Sequence, residues 1–80
     1  MKFTKKPLMV IEYDDITTHG EWNTEKSAEE MSPVKCCMVG WKLKTTKQNM
    51  ILTPMRTDSA ECTNVHVIPR GCIRSIRKVE

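Results

Sequence analysis

Eighty residues make one domain, 1–80, because two cores would leave neither half able to bury enough surface. Apolar residues account for 39% and charged residues, of mixed sign, for 29%, which excludes a disordered single-sign tail. The net charge is +3, and no apolar run approaches the roughly 18 residues of a membrane span.

The start, Met1-Lys2-Phe3-Thr4-Lys5-Lys6-Pro7, is basic like a signal n-region, but the apolar stretch Leu8 to Ile11 is too short to follow it as an h-region. A cytoplasmic protein with no membrane contact is expected. The first strand is Leu8 to Tyr13, rich in β-formers and free of turn residues. Met9, Ile11 and Tyr13 share one of its faces; Leu8, Val10 and Glu12 share the other. A polar stretch follows through Asp14, Asp15, Thr18, His19 and Gly20, and Trp22 within it is expected to cover one end of the core.

Thr24 to Met31 is the one helix candidate. Asn23 or Thr24 can cap it, and Glu25 lies in the first turn, where a carboxylate favours the dipole. Ser32-Pro33 ends it, because the residue before proline leaves the α region. Val34 to Lys44 is the strongest strand. Cys37, Val39, Trp41 and Leu43 fall at period two, so this face is expected to be the buried one, with Trp41 in the core. Gly40 predicts a bulge or a sharp bend. Thr45 to Asn49 reads as a hairpin loop, Met50 to Met55 as the third strand, and Thr57 to Asn64 as a polar loop. Val65 to Ile68 and Ile73 to Val79 complete five strands. Ile73 and Ile76 are three apart, which breaks alternation; a 3₁₀ half-turn at Gly71-Cys72-Ile73 would account for it.

The fold class is therefore mainly β. Either a small five-stranded SH3/Sm-like barrel or a strongly bent antiparallel sheet with one short helix satisfies the pattern. Barrel closure would remove the exposed edges of a short sheet.

Charge is unevenly placed. Residues 1–31 hold four lysines against seven carboxylates, whereas residues 32–80 hold nine basic groups against three acidic ones. Two solvated faces, or a basic surface for an anionic partner, both fit this division. On the basic side Lys35, Lys42, Lys44, Lys47, Arg70, Arg74 and Arg77 form one stripe if the second and last strands approach each other. Such a stripe would bind nucleic acid through phosphate contacts. Trp41, taken as core, leaves it without a stacking platform.

The four cysteines, Cys36, Cys37, Cys62 and Cys72, lack the CxxC spacing that aims two thiolates at one metal ion. Neighbours on a strand point to opposite faces, so Cys36 and Cys37 are not expected to share a metal. They read as free thiols and small buried hydrophobes, with no metal and no cofactor. No phosphate loop or nucleophile elbow is present, so no catalytic residue is assigned. Glu12, Asp14 and Asp15 read as a solvated turn, and Cys62 with His66 as coincidence. Six methionines suit either irregular core filling, with Met38, Met50 and Met55 inside, or an adaptable interaction surface.

Two resemblances attach to these residues. Val10-Ile11-Glu12-Tyr13-Asp14-Asp15-Ile16, Trp22, Val39-Gly40-Trp41 and Ile68-Pro69-Arg70-Gly71-Cys72-Ile73, in that order, resemble small uncharacterised accessory proteins of tailed bacteriophages. The resemblance implies a non-catalytic accessory binding protein in the host cytoplasm. Such a protein would modulate a host factor, with host defence and nucleic-acid enzymes as candidate targets. More locally, Arg70-Gly71-Cys72-Ile73-Arg74-Ser75-Ile76 resembles the closing motif of Sm-fold proteins, which implies an RNA pocket at Arg70 and Gly71. A host protein is the expected partner, a nucleic-acid module is the alternative, and edge strands offer a route to a homo-oligomer.

Overall fold

Leu8–Asp15 forms β1, two residues longer than its alternation predicts, and it is paired along both of its edges. The computed structural model describes residues 2–16 and 19–79. Thr17 and Thr18, in the expected polar turn, lie outside the described residues. After β1 come α1 (Glu25–Glu29), β2 (Val34–Thr45), β3 (Asn49–Thr53), β4 (Met55–Arg56), β5 (Cys62–Thr63) and β6 (His66–Pro69). A 3₁₀ turn at Arg70–Cys72 leads into β7 (Ile73–Lys78).

The protein is mainly β, with one five-stranded antiparallel sheet in the order β6-β3-β2-β1-β7 and one short helix. The two edge strands, β6 and β7, are consecutive in the chain and joined by three residues. A flat five-stranded sheet would hold its edges about 19 Å apart, at about 4.8 Å per spacing. Four Cα steps span at most about 14 Å. The sheet must therefore bend until its edges turn toward each other. Closure is not complete: among the described residues no ladder joins β6 to β7. The 3₁₀ turn falls within one residue of where the sequence places it.

The inner face carries the core. Met9, Ile11, Met50, Leu52 and Ile68 are buried together, with Tyr13, Met38 and Ile73 packed against them. Directly opposed residues of an antiparallel pair share a face. Ile11 faces Met38, Tyr13 faces Cys36, and Met9 faces Gly40. The buried face of β2 is thus Cys36-Met38-Gly40, and the expected assignment of Cys37, Val39 and Trp41 to the core is reversed. Val39 is half exposed and Cys37 exposed. The reason lies at Gly40: a Cβ there would meet the Thr53 carbonyl oxygen at 3.0 Å and the Met38 Cε at 3.1 Å. Glycine lets β3 close over this side, and the tight space inside the bend takes slender side chains in place of an indole.

Two bulges adjust the remaining faces. Between Lys42 and Lys44 the register with β3 slips, so Leu43 has no partner there. Between Glu12 and Tyr13 the register with β7 slips past Arg74, which places Ile73 opposite Tyr13 and Ile76 opposite Ile11. This bulge, and not the 3₁₀ turn, reconciles the three-residue spacing of the two isoleucines.

The expected third strand, Met50 to Met55, is divided between β3 and β4, and β4 pairs with β5, which lies inside the stretch expected to be a polar loop. Thr53, fully buried, fastens the pair: its hydroxyl donates to the Thr63 carbonyl at 2.7 Å and accepts the Met55 amide at 3.3 Å. Met55 is exposed and does not join the core.

Candidate functional site

Two surfaces stand apart from the core. The first is the excursion between β1 and β2. Of the two expected capping candidates Thr24 caps α1, its Oγ accepting the Ser27 amide at 3.1 Å. The helix runs only to Glu29, however, and buries no residue. Among the described residues no helix packs on the sheet; the segment projects, and the molecule measures 55 × 23 × 22 Å. Trp22, expected to cover the core, is instead fully exposed. Ile16 and Met31 are exposed nearby and, with His19, Ala28 and Pro33, line a shallow cleft of about 420 Å³. Between Glu12 and Glu30 the chain carries seven carboxylates and one lysine. The cleft and the bare indole thus lie on a stretch of the chain with net negative charge.

The second surface lies where residues 3–6, in the N-terminal segment, meet Trp41 of β2 and Arg56 of β4. Hydrogen bonds hold this segment: the Lys42 amide donates to the Pro7 carbonyl at 2.9 Å, and the Val79 amide to the Leu8 carbonyl at 2.8 Å. Trp41, opposite Leu8 on the outer face, is half-buried there. The Arg56 guanidinium from β4 sits 5.6 Å from the Trp41 ring centroid and 5.8 Å from that of Phe3. The same guanidinium donates to the Thr4 carbonyl. Phe3, Lys5, Lys6, Trp41 and Arg56 line a groove of about 500 Å³. Sequence reasoning missed it, since nothing in the spacing of residues 3, 41 and 56 marks them as neighbours.

The basic residues singled out in the sequence fall into separate groups. β1 lies between β2 and β7, so the two strands do not meet. Lys35 stands opposite Asp14, and Arg74 pairs with the same Asp14 carboxylate from the β7 side. The Ser75 hydroxyl donates to Glu12 at 2.9 Å, so acidic residues interrupt the line between the basic strands. Arg77 is opposite Val10 on the outer face, and Lys42 is half-buried opposite Leu52. Lys44, Lys47 and Arg70 gather at the β2–β3 turn, where Arg70 donates its amide to Gln48 at 2.8 Å and its guanidinium to the Thr46 carbonyl at 3.3 Å.

Cys36 and Cys72 are half-buried, whereas Cys37 and Cys62 are exposed and not the buried hydrophobes expected. Among the described residues no group of three histidine, cysteine or carboxylate side chains is placed to hold a metal ion. His66 Nδ1 lies 2.9 Å from the Asn64 carbonyl oxygen. Among the described residues no helix is long and apolar enough to cross a membrane. No family model matches the chain, and neither the curated proteins nor the solved structures contain a match to it.

Proposed function

We propose that this chain is a non-catalytic accessory binding protein of the tailed-bacteriophage kind, acting in the host cytoplasm on a host protein. Its sheet is an SH3/Sm-like barrel left open between β6 and β7. The three-residue link between the two edge strands supports that reading of the fold. The projecting arm is the gripping element. The observation that carries this function is Trp22, fully exposed on a segment whose described residues are all exposed as well. Solvent exposure of an indole is unfavourable by about 25 cal/mol per Å² of apolar surface, and buried tryptophans are frequent anchors of protein interfaces.

The carboxylates around Trp22 select a partner with a basic contact surface, and long-range attraction to it would speed encounter. Nucleic-acid enzymes of the host present such surfaces. Edge-strand self-association draws less support, since β7 carries Arg74, Arg77 and Lys78 and β6 ends at Pro69, both features that blunt strand addition.

The test is affinity capture from a bacterial lysate with the wild-type chain, Trp22→Ala and Glu25→Lys/Glu29→Lys in parallel. One host protein should be held by the wild type, released by added salt, and lost with both variants while their circular dichroism is unchanged. Capture that persists undiminished in both variants, or no retained protein at all, rejects the arm as the gripping element.

A further inference from the structure

We infer that the groove formed by Phe3, Lys5, Lys6, Trp41 and Arg56 is a site for a nucleotide unit, an aromatic base together with its phosphate. The site is separate from the arm and does not depend on its role. Its volume, about 500 Å³, falls within the roughly 300–1,000 Å³ usual for small-ligand sites.

The chemistry of the walls selects the ligand. Phe3 is 47% exposed, which leaves part of the side chain open to a ligand. A planar base can stack there, and stacking accepts any base because each has a π-face. Arg56 is held over both rings and donates to Thr4, which fixes its fork before a ligand arrives. A preorganised guanidinium suits a phosphate, which it can meet with two parallel hydrogen bonds. Lys5 and Lys6 add two point charges at the rim, and the described residues that line the groove include no carboxylate. An acidic peptide would satisfy the cations but leave the rings unused; a nucleotide engages both. The same unit can come as a free nucleotide or as part of a single strand.

The test uses the full chain carrying Trp22→Phe, so that Trp41 is the only fluorescent indole. It is titrated at low salt with adenosine monophosphate and, separately, with labelled oligothymidylate and oligouridylate. Saturable binding that quenches Trp41 and weakens with salt is expected. Phe3→Ala should weaken it about fivefold or more, the lower end of what one base–aromatic stack contributes. Lys5→Ala/Lys6→Ala should reduce the salt slope for a strand by about 0.7 per lost phosphate contact. Phe3 and Lys5 are exposed and Lys6 is half-buried, so these variants keep the fold, which circular dichroism verifies. Equal affinity for the mononucleotide and the strands assigns a small-molecule site; much tighter strand binding assigns a single-stranded nucleic-acid site. The inference fails if neither ligand binds, or if binding is unchanged in Phe3→Ala and in the double lysine variant. It fails also if a polyglutamate peptide binds as tightly, because charge alone would then account for the affinity.

Discussion

Arg56 lies over Trp41 at 5.6 Å from the ring centroid, a contact between residues on β4 and β2 that covers the indole on the outer face of the sheet. The side chain thereby fastens the N-terminal segment to the sheet through Phe3 and Thr4. Cation–π contacts at partly exposed sites contribute about 0.5–1 kcal/mol.

Trp41→Ala should therefore leave the protein folded. A fully buried tryptophan costs about 3–5 kcal/mol on truncation, and a half-buried one roughly half of that. Leu52→Ala, at a side chain with no exposure, should cost about 2–5 kcal/mol and unfold most of a domain this small. Urea denaturation followed by circular dichroism ranks the two; a Trp41→Ala chain less stable than Leu52→Ala would place the indole inside after all.

Gly40→Ala tests the close approach of β3. The added methyl would press on the Thr53 backbone, which cannot move aside as a side-chain tip can. A loss of about 1–3 kcal/mol is expected, the usual cost of overpacking. Gly71→Ala is the control, because a Cβ there meets nothing within 4 Å. Thermal midpoints of the two variants give the comparison, and equal midpoints would remove the argument for Gly40 as the site of the bend.

Thiol reactivity should divide in two. Cys37 and Cys62 are exposed and should alkylate quickly in the native protein, while Cys36 and Cys72 are half-buried and should lag. Mass spectrometry of labelled peptides over time reads this order. Uniform rates at all four would contradict the assignment of Cys37 to the outer face.

Tyr13 is the chain's single tyrosine, so its phenolate absorbance reports one group. Burial first, then the nearby Cys36 and Asp15, raises its pKa above the ordinary 10.0. A raised pKa in the folded state means the unfolded chain ionises first. The stabilising contribution of the neutral phenol is present below about pH 10 and lost as pH climbs through the folded-state value. Tyr13→Phe should flatten this part of the alkaline stability loss. A spectrophotometric midpoint at or below that of free tyrosine would refute it.

Composition and local pattern sufficed for the mainly β class, the five strands of the sheet, the Thr24 cap as one of two candidates and the turn at Arg70–Cys72. Each depends on residues near one another in the chain: runs of β-formers, a capping hydroxyl, a Pro-Arg-Gly corner. Which face of β2 is buried was not legible, because both faces carry apolar residues and hydrophobicity alone favours Cys37, Val39 and Trp41. Register against β1 and the space opened by Gly40 decided it. The two proposed sites divide in the same way. The acidic character of the arm is written in the chain, but the full exposure of Trp22 follows only from a helix that fails to pack. The groove of Phe3, Trp41 and Arg56 exists only once β4 and the N-terminal segment meet over the outer sheet. Local sequence sets what each strand prefers; the pairing of strands distant in the chain sets which side chains become neighbours, because register is a property of two segments and not of either one.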